Sequence, residues 1–193
     1  ASDWSSDVCS SDLITWQDVE HLTHAIIHHT RQTEWRPDYV VGITRGGLLP
    51  ANLLSQYFGC PMHTLQVQLR DGGESESNLW MAEDAYGYAS YEGEGSPPAD
   101  RVTTDPTLRK NILIVDDIND SGRTLSWIKE DWPSGCLPND PVWEEIWHSN
   151  VRFAVMVDNQ GSSFNECDYV GITIDKREDD EWIVFPWENW WER

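Results

Sequence analysis

Asn111 to Lys129, reading NILIVDDINDSGRTLSWIK, is the stretch whose reading decides the fold. Four consecutive apolar residues, Ile112 to Val115, predict a strand buried on both faces, as in a parallel sheet covered by helices. The strand is expected to end at two adjacent carboxylates, Asp116 and Asp117. A polar loop, Asn119-Asp120-Ser121-Gly122, then leads into a helix-like run containing Leu125 and Ile128. A strand, a polar glycine loop and a helix start make an anion site, because the first N–H groups of a helix lack internal partners. Ser121 and Thr124 add hydroxyl donors there, and Arg123 adds positive charge. The acidic pair just upstream would repel a phosphate but suits sugar hydroxyls and a hard cation such as Mg²⁺. The ligand described by this pattern carries a phosphate at one end and a diol with a metal at the other, which is a phosphorylated ribose.

DDINDSGRT resembles the phosphoribosyl-pyrophosphate (PRPP) loop of type I phosphoribosyltransferases: two acidic residues, two spacers, an acid, then a small-Gly-x-Thr turn. An incidental acidic turn before a helix is the bland alternative. The resemblance implies that Asp116 and Asp117 hold the ribose hydroxyls, directly or through the waters of Mg²⁺. It assigns the 5′-phosphate to Ser121, Gly122, Arg123 and Thr124, and proton acceptance from the base to Asp120.

Working towards the N-terminus, Tyr39-Val40-Val41-Gly42-Ile43 is a second buried-strand candidate, and Leu48 to Phe58 a helix with Leu49, Leu53 and Tyr57 on one face. Between them lies Thr44-Arg45-Gly46-Gly47, where glycines allow close backbone approach and a guanidinium can grip two phosphate oxygens. VGITRGGLLPA resembles the pyrophosphate loop of the same family, closest in pattern to the xanthine-guanine and hypoxanthine-guanine enzymes. By that resemblance Arg45 and Gly46 bind pyrophosphate, and Thr44–Arg45 is the candidate for a cis peptide bond.

A third strand is expected where Leu65, Val67 and Leu69 alternate with polar residues. From Arg70 to about Arg109 the chain is polar and rich in Gly, Ser, Glu and Pro. The family places a flexible lid between these two strands, so residues 71–108 are read as a mobile lid or insertion, with Trp80, Tyr86, Tyr88 and Tyr91 available to pack or to cover the site. Further on, Pro133-Ser134-Gly135 and Pro138-Asn139-Asp140-Pro141 read as a loop, Val142 to His148 as a short amphipathic segment, and Val151 to Val157 and Tyr169 to Ile174 as strands. The expected architecture is α/β, a mostly parallel sheet flanked by helices with a small C-terminal hood, and ligands at the C-terminal ends of the strands.

The hood, residues 175–193, contains DEWIVFPWE, which resembles the segment of bacterial xanthine-guanine phosphoribosyltransferases where a tryptophan stacks on the purine. By position Trp182 is that tryptophan, with Ile183 beside it; packing in an apolar cluster is the other reading of Trp182. Glu188 takes the place of the family's acidic residue after the second tryptophan, and Asp117 and Glu188 are the implied metal-associated carboxylates. One departure bears on the base. The family's purine enzymes carry a lysine after the preceding strand, donating to the exocyclic oxygen of the base. Counting from Phe153, the matching place is Asp158-Asn159, where Asn159 is left as an uncharged donor.

The 193 residues carry 34 acidic and 13 basic side chains, a formal charge of −21, which repels nucleic acid and anionic membranes. No apolar run approaches the roughly 18 residues of a membrane span. Cys9, Cys60, Cys136 and Cys167 show no CxxC pair or zinc spacing, so reduced thiols in a cytoplasmic protein are expected. Thr15 and Asp18 resemble a capping box before Val19, Leu22 and Ile26. His24 and His28, four residues apart, allow a metal reading or a solvated helix face. Residues 1–13 lack signal-peptide anatomy. From Asp3 to Leu13 they resemble a translated sequencing adapter, with a natural Ser/Asp-rich tail as the alternative, so the single domain is expected over residues 14–193.

The resemblance implies a Mg²⁺-dependent purine phosphoribosyltransferase acting on PRPP and guanine, xanthine or hypoxanthine, as a homodimer or homotetramer. The alternatives are a PRPP-binding regulator and a phosphoribosyltransferase with a non-purine acceptor.

Overall fold

The computed structural model describes residues 13–67, 69, 75, 78–88, 104–177, 183–188 and 191. Helix α1 (Trp16–Gln32) begins at the expected capping box: the Thr15 hydroxyl accepts the Asp18 N–H at 3.2 Å, and the Asp18 carboxylate accepts the Thr15 N–H at 2.8 Å. Val19, Leu22 and Ile26 form its buried face, whereas His21, His24, His28 and His29 are exposed. Among the described residues no group of three or more His, Cys, Asp or Glu side chains converges as a metal cage. The four histidines thus lie on the solvent side of the helix.

The strands are β1 (Tyr39–Thr44), β2 (Met62–Gln66), β3 (Ile112–Asn119), β4 (Val151–Asn159) and β5 (Tyr169–Ile174), and they lie side by side in the order β2-β1-β3-β4-β5, all parallel. Alternation along the strands divides the core into two layers. Val40, Leu113, Val115, Ala154 and Met156 pack with α1 and with α2 (Leu48–Phe58). Val41, Ile43, Ile112, Ile114, Phe153 and Val155 pack with α3 (Leu79–Tyr86), α4 (Arg123–Gly135) and α5 (Val142–Ile146). Much of the tryptophan content serves this second layer, where Trp143 stacks on Trp147 with ring centres 5.6 Å apart and Trp132 lies 6.0 Å from Trp147.

Three local features differ from the sequence reading. In α2 the buried face is Ala51, Leu54 and Phe58, while Leu53 and Tyr57 are 38 % and 48 % exposed. LLPANLLSQYF is apolar on more than one face, so periodicity alone does not say which one meets the sheet. Pro133-Ser134-Gly135 belongs to α4, not to a loop. The fixed φ of proline is compatible with a helix, and buried Trp132 anchors the last turn, closed by the Cys136 N–H donating to the Trp132 carbonyl at 3.0 Å.

The third feature lies in the expected lid, which contains α3, with Met81, Ala82, Ala85 and Tyr86 in the core. Tyr86 packs on Trp143 with ring centres 5.4 Å apart, and Trp80 on His63 at 4.9 Å, so both pack within the domain. Tyr88 and Thr104 form an antiparallel bridge, and residues 89–103, Tyr91 among them, lie outside the described residues.

The C-terminal segment returns across the start of the chain, with the Ile14 N–H donating to the Val184 carbonyl at 2.9 Å. Phe185 is buried against the first layer and stacks on Trp187, ring centres 4.7 Å apart.

Candidate active site

The C-terminal ends of β1, β3, β4 and β5 form one edge, and the sequence-marked polar residues gather there. The acid pair belongs to the strand rather than ending it, because parallel pairing continues through Ile118 with Val157 and Asn119 with Asp158. Although adjacent strand residues alternate between faces, the Asp116 and Asp117 carboxyl groups stay close enough to interact directly. The Asp117 N–H donates to the Asp116 carboxylate at 3.0 Å. Burial raises the Asp116 carboxyl well above the usual carboxylate range, and the Asp117 charge raises it further. Burial likewise pushes Asp117 up to about 6, with the Glu188 charge acting in the same direction against a 2.8 Å hydrogen bond from the Ile118 N–H.

The loop after β1 closes onto this pair. The Thr44–Arg45 peptide bond is cis. The Leu48 N–H donates to the Arg45 carbonyl at 3.3 Å, a tight turn that leaves the Arg45 side chain exposed. A Cβ built on Gly46 would coincide with the Asp117 carboxylate, so the backbone of the loop rests directly on that side chain.

The loop after β3 is braced from β4 and the β4–β5 connection. Buried Asn119 donates to the Asp158 carboxylate and to the Phe164 carbonyl, each at 2.7 Å, and accepts from the Ser162 hydroxyl at 2.9 Å. The Ser163 hydroxyl donates to the Ser121 carbonyl at 2.8 Å. Gly122 turns the chain with φ of 84°, and a Cβ there would strike the Phe164 backbone and the Ser162 and Ser163 hydroxyls. Gly122 gives α4 no side-chain cap, so the helix N-terminus is open to an anion beside exposed Ser121 and Arg123 and half-buried Thr124.

Beyond that loop, Asp120 meets two partners from neighbouring strands. The Asn159 amide donates to the Asp120 carbonyl at 3.1 Å. Lys176, just past the end of β5, places Nζ 3.0 Å from the Asp120 carboxylate. Sequence reasoning missed Lys176, which sits in the charged run Asp175-Lys176-Arg177 with no motif around it. The only available signal was that it is the first lysine after the last strand.

The hood residues are partly described. Ile183 packs against the first layer, and the Glu188 carboxylate accepts the Phe185 N–H at 3.2 Å. Trp182 lies outside the described residues. Among the described residues no three acidic side chains form a preformed cage, but buried Asp117 and Glu188, whose charge helps to raise the Asp117 pKa, are hard oxygen donors. That donor set fits a Mg²⁺ ion, which takes one or two carboxylates and completes its shell with water and substrate oxygens.

The chain belongs to the phosphoribosyl transferase domain family, whose sequence profile matches residues 12–190. It is 25% identical over 182 residues to the xanthine-guanine phosphoribosyltransferase of Gluconobacter oxydans, covering 91% of this chain and 83% of that protein. It is 28% identical over 182 residues to the xanthine-guanine phosphoribosyltransferase of Cereibacter sphaeroides, covering 87% and 86%. Among solved structures, the xanthine-guanine-hypoxanthine phosphoribosyltransferase of Helicobacter pylori superposes with a TM-score of 0.60 at 17% identity, covering 93% of this chain and 95% of that one. The purine phosphoribosyltransferase of Pyrococcus horikoshii gives 0.55 at 22% identity, covering 92% and 93%. At these identities the two structures speak for the fold.

Proposed function

We propose that this phosphoribosyl transferase family member moves the 5-phosphoribosyl group of PRPP to a 6-oxopurine, guanine, xanthine or hypoxanthine, with release of pyrophosphate, a purine salvage reaction. The observation that carries the proposal is the meeting of two loops at one strand edge. Gly46 of the loop after β1 rests on Asp117, and the open N-terminus of α4 lies just beyond in the chain. The printed activities of the curated relatives point the same way.

In this reading the α4 amides, Ser121, Gly122, Arg123 and Thr124 hold the 5′-phosphate, with the helix N-terminus supplying much of the attraction. Arg45 and the Gly46 backbone hold pyrophosphate. Asp116 and Asp117 orient the ribose hydroxyls. Asp117 and Glu188 are the carboxylates that would hold Mg²⁺, and the ion when bound neutralises charge on the departing pyrophosphate. The bond from the anomeric carbon to pyrophosphate oxygen breaks, and a bond from that carbon to a purine nitrogen forms. The proton displaced from the base passes to Asp120. The Trp182 and Ile183 segment borders the base.

Pyrophosphate release from PRPP and Mg²⁺, measured with guanine, hypoxanthine, xanthine and adenine in turn, tests the reading. Release with at least one 6-oxopurine is expected. PRPP binding without release in all four assays would replace it with a regulator or an enzyme acting on a non-purine acceptor.

A further inference from the structure

The connection between β4 and β5 braces the loop after β3 at one end and is fixed by charge at the other. Its near end carries the brace, where the Ser162 and Ser163 hydroxyls and the Phe164 carbonyl hold Asn119 and Ser121. Further along it, Glu166 and Asp168 face His148, which sits in the turn between α5 and β4 with a left-handed φ of 63°. His148 Nδ1 lies 3.1 Å from Asp168 Oδ1, and Nε2 lies 3.1 Å from Glu166 Oε2. Lys129 of α4 also pairs with Glu166, its Nζ 5.9 Å from the centre of the Phe164 ring. Asp168 is tied in turn to β4: its carboxylate accepts the Phe153 N–H at 2.8 Å, and its own N–H donates to the Phe153 carbonyl at 2.9 Å.

A neutral imidazole has one N–H and one lone pair, so between two carboxylates it satisfies one and turns its lone pair on the other. Two carboxylates at 3.1 Å call for two donors, which only the imidazolium has. The hydrogen bond from Lys129 holds the Glu166 carboxyl below its ordinary range, whereas burial raises Asp168 against the Phe153 N–H and the His148 charge. Glu144 of α5 and Cys167 line the same cleft, and the Arg152 charge of β4 acts on Asp168. We propose that His148 is a positioning residue for the 5′-phosphate loop, its imidazolium pinning Glu166 and Asp168 so that Ser162 to Phe164 stay in place against Asn119 and Ser121; this rests on the PRPP reading above. The side chains of His148, Glu166 and Asp168 are 38 %, 46 % and 13 % exposed, so water screens the bridge and its effect is moderate. When the ring loses one proton the bridge opens on one side. The Lys129 pair and the Asp168–Phe153 backbone bonds remain, so the connection loosens without unfolding.

The test measures the Kd for PRPP by calorimetry, and kcat at saturating PRPP, for the full-length wild type, His148→Asn and His148→Lys across roughly pH 5–8, where histidine side chains change charge. Asparagine accepts the left-handed backbone but is too short and uncharged to bridge the carboxylates. At the acidic end His148→Asn should bind PRPP roughly 3- to 10-fold more weakly than wild type, and the gap should close as pH rises, with kcat unchanged. His148→Lys, which keeps its charge throughout, should bind more tightly than His148→Asn by a ratio that does not vary with pH. Thermal melting of each variant identifies loss of fold. If His148→Asn melts below the assay temperature, wild type against His148→Lys carries the test, since that ratio must still move with pH. A wild-type to His148→Asn ratio that stays constant with pH, or a fall in kcat with Kd unchanged, overturns the assignment. Wild type that binds no PRPP overturns the phosphoribosyl reading itself, and the assignment falls with it.

Discussion

Gly46 touches the Asp117 carboxylate so closely that a Cβ at position 46 would occupy the same space as the carboxylate group. The loop after β1 reaches the end of β3 only because residue 46 has no side chain. This contact joins the pyrophosphate-side loop to the acid pair. Gly46→Ala should therefore lower kcat/KM for PRPP by roughly 100-fold, about 3 kcal/mol of transition-state binding. Steady-state pyrophosphate release checks this, and wild-type kinetics in that variant would show that the loop tolerates displacement.

Asp117 should make stability depend on pH in the metal-free protein. Its folded pKa of about 6 lies above the ordinary 3.8, so the fold binds this proton more tightly than the unfolded chain does. The contribution is complete below the unfolded value and is lost as pH rises towards the folded one. The stability of Asp117→Asn minus that of wild type should therefore grow between about pH 4 and 6, by on the order of 2–3 kcal/mol. Denaturant melts with a chelator present measure it. A difference that shrinks with rising pH would contradict the assigned burial.

Asp120→Asn keeps the shape and the Asn159 contact to the backbone but removes the proton acceptor. Turnover should fall by about 10²- to 10⁴-fold while PRPP affinity is retained. Rapid-quench turnover alongside calorimetric PRPP binding separates the two quantities, and equal losses in both would assign Asp120 to binding alone.

Thr15→Ala removes the reciprocal cap at the start of α1, on the face of the sheet that carries α1 and α2. It should cost about 1 kcal/mol, or about 2–4 °C in Tm, with kcat/KM unchanged. A marked fall in activity would mean that α1 and the C-terminal segment it packs against govern the site more than the fold implies.

Much of the fold was legible because its signals are local. Ile112 to Val115 has too many consecutive apolar residues for a half-exposed strand, and the polar loop after it has only one sensible continuation, a helix start. β5 and α2 occupy the residues that patterning indicates, and the Thr15–Asp18 cap is formed as read. The α3 segment was hidden for a converse reason. Leu79 to Tyr86 is a short apolar island in a polar stretch, and it is helical because Met81, Ala82, Ala85 and Tyr86 find a core surface contributed by α4 and α5.

The site divides in the same way. The sequence by itself determined the residues that are close together along the chain, Asp116 to Thr124 and Thr44 to Gly47, since a strand, a turn and a helix start place their own amides and side chains. Tertiary structure alone decided which of α2's apolar faces is buried, that Gly46 lies on Asp117, and that Lys176 meets Asp120 across a clamp at Asn159. Those contacts exist because parallel strands distant in sequence end at one edge, and spacing along a chain carries no record of which strands are neighbours in the sheet.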